Sequence, residues 1–138
     1  MAAVDLADGV VLDTDVASKL LRDRMSGPLS ARLLGRIWCV TFVTVGELWQ
    51  WAEVRTWGPA RCDALAAWLA DVIVLPSSDQ VSRTWAHISA SALGRGRPRP
   101  VNDTWVAAGC LARGLPLATR NTKDFADFAE HDGLRLLR

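Results

Sequence analysis

Gly9-Val10-Val11-Leu12-Asp13-Thr14-Asp15 is a short apolar run that ends abruptly in polar, helix-starting residues. A run without polar alternation suits a strand buried on both faces, as in a parallel sheet. The same junction recurs along the chain. Residues 37–43 (IWCVTFV) run into Thr44 and Glu47, PVNDTWVAA carries Asp103, and LPLATRNTKDF carries Asp124 just after the strand-like PLAT. If these runs are parallel strands, Asp13, Glu47, Asp103 and Asp124 gather at one edge of one sheet. In open α/β sheets the crevice beyond the strand carboxyl ends is where sites form. Clustered carboxylates repel unless a cation or shared protons offset their charge, and this pattern points to a divalent metal.

The rest of the chain fits that frame. Helical material is expected from Asp13-Thr14-Asp15 to about Arg36, broken near Ser26-Gly27-Pro28 by turn chemistry. Thr44 is read as an N-cap with Glu47 at the capping-box spacing, ahead of a stripe of Val45, Leu48, Trp49 and Ala52. Gly58-Pro59 opens a further helix with Leu65, Trp68 and Leu69 inward, and VIVL at 72–75 is a strand stopped by Pro76. Val81, Trp85, Ile88 and Ala92 mark another helix, and GRGRPRP at 94–100 must be loop. The helix holding Trp105, Val106, Ala108, Cys110 and Leu111 should stop at Gly114. PLAT (116–119) and LRLL (134–137) complete the strands. Strands alternating with helices imply an α/β chain with a mostly parallel sheet covered on both faces.

Composition narrows the function classes. With 138 residues, half of them hydrophobic, residues 1–138 are expected to form a single domain around one core. A net charge of +1 gives no bulk attraction to nucleic acid, so any polyanion must be held by a local patch. Cys39, Cys62 and Cys110 are odd in number and form no CxxC, which disfavours a zinc cluster or disulfide scaffold and suits a reducing cytoplasm. They are read as core fillers. His87 and His131 are isolated, leaving little material for a histidine-based nucleophile. The N-terminus, with Asp5 and Asp8, lacks a basic signal region, and the ten-residue run IWCVTFVTVG is too short to span a bilayer. A soluble protein is expected.

Each acid alone has a plainer explanation. Asp15 suits a helix cap, Glu47 the second half of a capping box, Asp103 a dipole partner, and Asp124 a cap of its short helix. Their joint recurrence at successive sheet-to-helix junctions is what favours a site.

Taken together, VVLDTDV, TVGELW, NDTWVAA and LATRNTKDF resemble the PIN domain, and specifically the VapC-type toxins of bacterial toxin–antitoxin pairs. The likeness spans about Val10 to Leu137 and implies a three-layer α/β/α sandwich around a parallel sheet. It implies magnesium- or manganese-dependent endoribonuclease activity, a cognate antitoxin and a homodimer. By position, Asp13, Glu47, Asp103 and Asp124 match the family acids, and Thr119 and Asn121 match polar residues that orient them. Asp15 stands where Asn is common, and Trp105 where a smaller aliphatic residue is usual.

The implied chemistry is water attack on an RNA phosphodiester, with Mg²⁺ or Mn²⁺ held first by Asp13 and Asp103. Arg95, Arg97 and Arg99, just ahead of Asp103, and Arg120 are candidate phosphate contacts; a solvated basic loop is the plain alternative. The seven tryptophans are assigned to contacts with a second copy and the antitoxin, with core packing the competing account. Two further functions stay open. One is a haloacid-dehalogenase-type phosphatase using the DxD of Asp13-Thr14-Asp15, although no Gly-rich phosphate loop accompanies it. The other is a PIN-like module that binds RNA or a partner without cutting.

Overall fold

The computed structural model describes residues 6–138, so Asp5 lies outside the described residues. Five strands, β1 (Gly9–Leu12), β2 (Ile37–Thr41), β3 (Ile73–Leu75), β4 (Leu117–Ala118) and β5 (Leu136–Leu137), pair in the order β3-β2-β1-β4-β5, every pairing parallel. Seven helices connect and cover them: α1 (Thr14–Leu21), α2 (Pro28–Leu33), α3 (Phe42–Val54), α4 (Pro59–Asp71), α5 (Asp79–Gly94), α6 (Val101–Arg113) and α7 (Thr122–Asp132).

The period of two along each strand divides the core. Val11, Cys39 and Leu117 point to one side, where they meet Ile88 of α5, Val106 of α6, and Phe125 and Phe128 of α7. Val10, Leu12, Val40 and Ala118 point to the other, against Val16 of α1, Leu33 of α2, Leu48 of α3 and Leu65 of α4. Both faces are buried, so the strands carry no polar alternation, and the α/β/α sandwich follows.

Several boundaries differ from the sequence reading. Strand β2 ends at Thr41 rather than residue 43, and Phe42 and Val43 are helical. The cap of α3 is Thr41, whose side chain accepts from the Thr44 N–H at 3.3 Å; Thr44 is not the cap, and Glu47 lies one turn deeper. Asp13, not Asp15, caps α1. Asn121 takes the N-cap position of α7 without a side-chain bond, and Asp124 sits in the first turn. The helical stretch expected to run to about Arg36 ends at Leu33, while its expected break near Ser26-Gly27-Pro28 is present: α1 stops at Leu21 and α2 starts after Gly27 (φ 85°). Gly114 ends α6 in the left-handed conformation (φ 65°), as expected.

Packing accounts for six tryptophans. Trp85 and Trp105 stack at 4.9 Å between ring centres, and Trp38, Trp51, Trp57 and Trp68 lie against the second core cluster. Trp49 alone among the seven joins neither cluster, so the surplus serves chiefly the chain's own core. Cys39 and Cys110 are buried as core residues, while Cys62 is half-buried. No described helix is long and apolar enough to cross a membrane.

Candidate active site

Chain order runs outward from β1 to β2 and β3, then returns to β4 on the opposite side of β1. The crevice at such a switch point lies beyond the adjacent strand ends. Asp13 follows β1 directly, and Thr119 follows β4. They meet: the Thr119 hydroxyl donates to Asp13 Oδ2 at 2.9 Å, and the Thr14 N–H donates to Oδ1 at 2.8 Å. The Asn121 N–H in turn donates to Thr119 Oγ1 at 2.9 Å. That bond leaves the single hydroxyl proton of Thr119 directed at the carboxylate. Asn121 thus contributes its backbone to this network, while the residue itself is exposed.

A second relay fixes Glu47. The Thr14 hydroxyl donates to Glu47 Oε1 at 2.8 Å, and Thr44 Oγ1 lies 2.9 Å from Thr14 Oγ1. With the Thr14 proton committed to Glu47, Thr44 is the donor between the two hydroxyls. Thr14 therefore links the first turn of α1 to α3, touching Asp13 through its backbone and Glu47 through its side chain. The sequence reading did not single out Thr14. Its position inside the DxD triplet was the available signal.

Burial pushes the Asp13 carboxyl above the ordinary value of 3.8; bonds from Thr119 and Thr14 oppose the shift, and Glu47 and Asp15 add to it. Asp103, in the first turn of α6, is raised to about 6, first by burial and then by the charges of Asp13, Asp124 and Glu47, with Arg99 partly offsetting them. The four predicted acids therefore share one electrostatic neighbourhood. Among the described residues, however, no three His, Cys, Asp or Glu side chains gather closely enough to hold a metal ion. The cluster is open. Magnesium, which commonly keeps several waters and binds through one or two carboxylates, suits such a set of hard oxygen donors. The repulsion that raises Asp103 is charge that a cation would offset.

The arginines divide. Arg95 pairs with Asp127 at 2.6 Å, where Asp127 is buried on α7. Burial favours the neutral acid, but the hydrogen bond and charge of Arg95 outweigh it and hold Asp127 below the usual carboxylate value. Arg99 donates to the Asp124 carbonyl at 3.2 Å. Arg97 and Arg120 are exposed. Asp127 is a further residue absent from the sequence reading; nothing local in ADF announces a partner 32 positions away.

The family model for the PIN domain matches residues 10–131. Ribonuclease VapC5 of Mycobacterium tuberculosis (strain ATCC 25618 / H37Rv) is 31% identical over 125 residues, covering 89% of this chain and 87% of that protein. The solved VapBC-5 toxin–antitoxin structure from Mycobacterium tuberculosis matches with a TM-score of 0.71 at 28% identity, over 95% of this chain and 98% of that one. VapBC2 from Rickettsia felis, bound to a DNA fragment from their promoter, matches in fold with a TM-score of 0.76 at 16% identity, over 93% and 96% of the two chains.

Proposed function

This chain belongs to the PIN-domain family, and from that membership we propose that it is an endoribonuclease toxin of a type II toxin–antitoxin pair. It hydrolyses RNA phosphodiesters at the carboxylate edge and is silenced by a cognate antitoxin. The observation that carries this reading is the pairing across the switch point: Asp13 oriented by Thr119, with Asp103 raised to about 6 first by burial and then by the surrounding acids. The phosphatase account of Asp13-Thr14-Asp15 gives way to the family match.

In this reading Asp13 and Asp103 hold Mg²⁺ or Mn²⁺, with Glu47 and Asp124 completing the acidic rim. When bound, the cation offsets carboxylate repulsion and stabilises negative charge developing on the phosphate. Thr119 and Thr14 keep Asp13 and Glu47 in single orientations, so the carboxylates need no reorganisation when charge arrives. Arg97, Arg99 and Arg120 provide the phosphate grip, and Arg95 supports it by tying the loop to α7. The protein's partners are RNA, the antitoxin and a second copy of the chain, in the cytoplasm.

The test is incubation of antitoxin-free protein with RNA, with and without a chelator. Fragments should form only with the divalent ion. Asp13→Asn and Asp103→Asn should each slow cleavage by at least about 100-fold, since even supporting residues of metal sites are worth 10–100-fold. RNA that binds and stays intact under every metal condition would instead mark a non-catalytic module.

A further inference from the structure

A hollow of about 350 Å³ opens between the α1–α2 connection and the β4–α7 connection. Met25, Pro28 and Leu29 form its apolar side, and Thr119 and Arg120 line it opposite. Thr119 is the same residue that donates to Asp13, so the hollow and the carboxylate edge share a wall. We propose that this hollow takes one nucleobase of the RNA, from the nucleotide next to the phosphate that is cut. The proposal rests on the ribonuclease reading.

Size, chemistry and placement agree. Pockets for small ligands run from ~300 to ~1,000 Å³, and this one lies at the small end, suited to a single nucleoside. A base has flat apolar faces that Met25, Pro28 and Leu29 can cover. Arg120 is exposed and makes no hydrogen bond or ion pair among the described residues. Its guanidinium is therefore available to stack on a base or meet the adjoining phosphate, both common in single-stranded RNA recognition. Arg138 adds a second cation at the rim. The neighbouring carboxylate edge repels a polyanion, so cations at its border are where RNA gains purchase. Gly27, in a left-handed conformation (φ 85°), and Pro28, in the first turn of α2, define the turn that presents the apolar side.

The test uses Asp103→Asn protein, so that the RNA stays intact, and single-stranded RNA carrying 4-thiouridine at successive positions. Irradiation should crosslink one position to residues 25–29, mapped by mass spectrometry. An abasic site at that position should weaken binding about fivefold or more, by the known worth of base stacking. Ser26→Trp, which fills the hollow, should remove both the crosslink and the abasic penalty, with circular dichroism checking the fold. Arg120→Ala, at an exposed position, is the second variant and should shrink the abasic penalty. Crosslinks that map elsewhere, or an abasic site without effect, overturn the proposal. So does a Ser26→Trp protein that binds RNA normally but no longer binds antitoxin, which would assign the hollow to a protein partner. Failure of the wild-type protein to cut RNA would defeat the ribonuclease reading separately, because crosslinking reports where the base sits without any cleavage.

Discussion

A threonine hydroxyl has one proton and two lone pairs, and Thr119 uses the proton on Asp13 and a lone pair on the Asn121 N–H. Thr119→Val preserves shape but strips both partners. It should cost about 1–3 kcal/mol in urea unfolding, the range for leaving buried polar groups unsatisfied. It should also slow RNA cleavage, because the bond that pulls the Asp13 pKa down is lost. Thr119→Ser should restore most of both, and an inactive but fully stable Thr119→Val protein would contradict the shared origin of the two effects. Arg95 and Asp127 make a second residue-scale case. Asp127 is held below 3.8, so its stabilising contribution is fully present above that pH and lost as the pH falls through the lower folded value. His131 at 3.7 Å from Asp127, together with Arg99, adds to the same effect, and no step at neutral pH is expected from Asp127 itself. Arg95→Met should lower stability at pH 7 by about 1.5–3 kcal/mol, the worth of a hydrogen bond to a charged group. The gap from wild type should hold above pH 3.8 and narrow as the pH falls below it in denaturant titrations. A gap independent of pH would mean that Arg95 acts through packing alone.

At the scale of elements, the approach of α6 to the end of β2 sets where Asp103 stands. A Cβ placed on Gly109 would lie 2.9 Å from Thr41 Cγ2, closer than carbon atoms tolerate. Gly109→Ala gains up to about 1 kcal/mol of helix propensity, yet overpacking a tight contact typically costs about 1–3 kcal/mol. The clash should win, because Thr41 is fully enclosed and its hydroxyl is held as the α3 cap. Thr41→Ser removes Cγ2 and keeps the capping oxygen, so the double variant should recover stability in chemical denaturation; failure to recover would place the strain elsewhere. The same junction explains what a reader of the sequence sees and misses. The β-branched and aromatic run through residues 37–43 looks like one strand, since Phe42 and Val43 continue its apolar character. Only the bond from the Thr44 N–H to Thr41 shows that the helix has already begun. Likewise Asp13 and Asp15 are equally good caps by type. Asp13 wins because its backbone is extended (ψ 155°) at the strand end and its side chain accepts from the Thr14 N–H.

Across the whole molecule, the sheet order brings the acids that follow β1, β2 and β4 (Asp13, Glu47 and Asp124) toward one edge. Asp103 joins them from the first turn of α6, which follows α5 and a loop rather than a strand. Only the first three were legible as acids placed after an apolar run. The hydroxyl relay through Thr14 and the Arg95–Asp127 tie were not legible, because both join residues more than 30 positions apart. The edge is costly in the metal-free state: Asp103 is raised to about 6 chiefly by burial, with the other three acids adding to it. A ligand that binds only the folded protein stabilises it by RT ln(1 + [L]/Kd), about 2.7 kcal/mol at 100 times Kd. Saturating Mg²⁺ or Mn²⁺ should therefore raise the thermal midpoint of the wild-type protein, reversibly on chelation. Asp103→Asn removes one charge from the cluster, so without metal it should be as stable as wild type or slightly more so. With metal it should gain little. The two curves should thus converge or cross as the divalent ion is added, and monovalent salt at matched ionic strength, which only screens the repulsion, should not reproduce the full shift. Equal shifts in wild type and Asp103→Asn would remove Asp103 from the set of metal ligands.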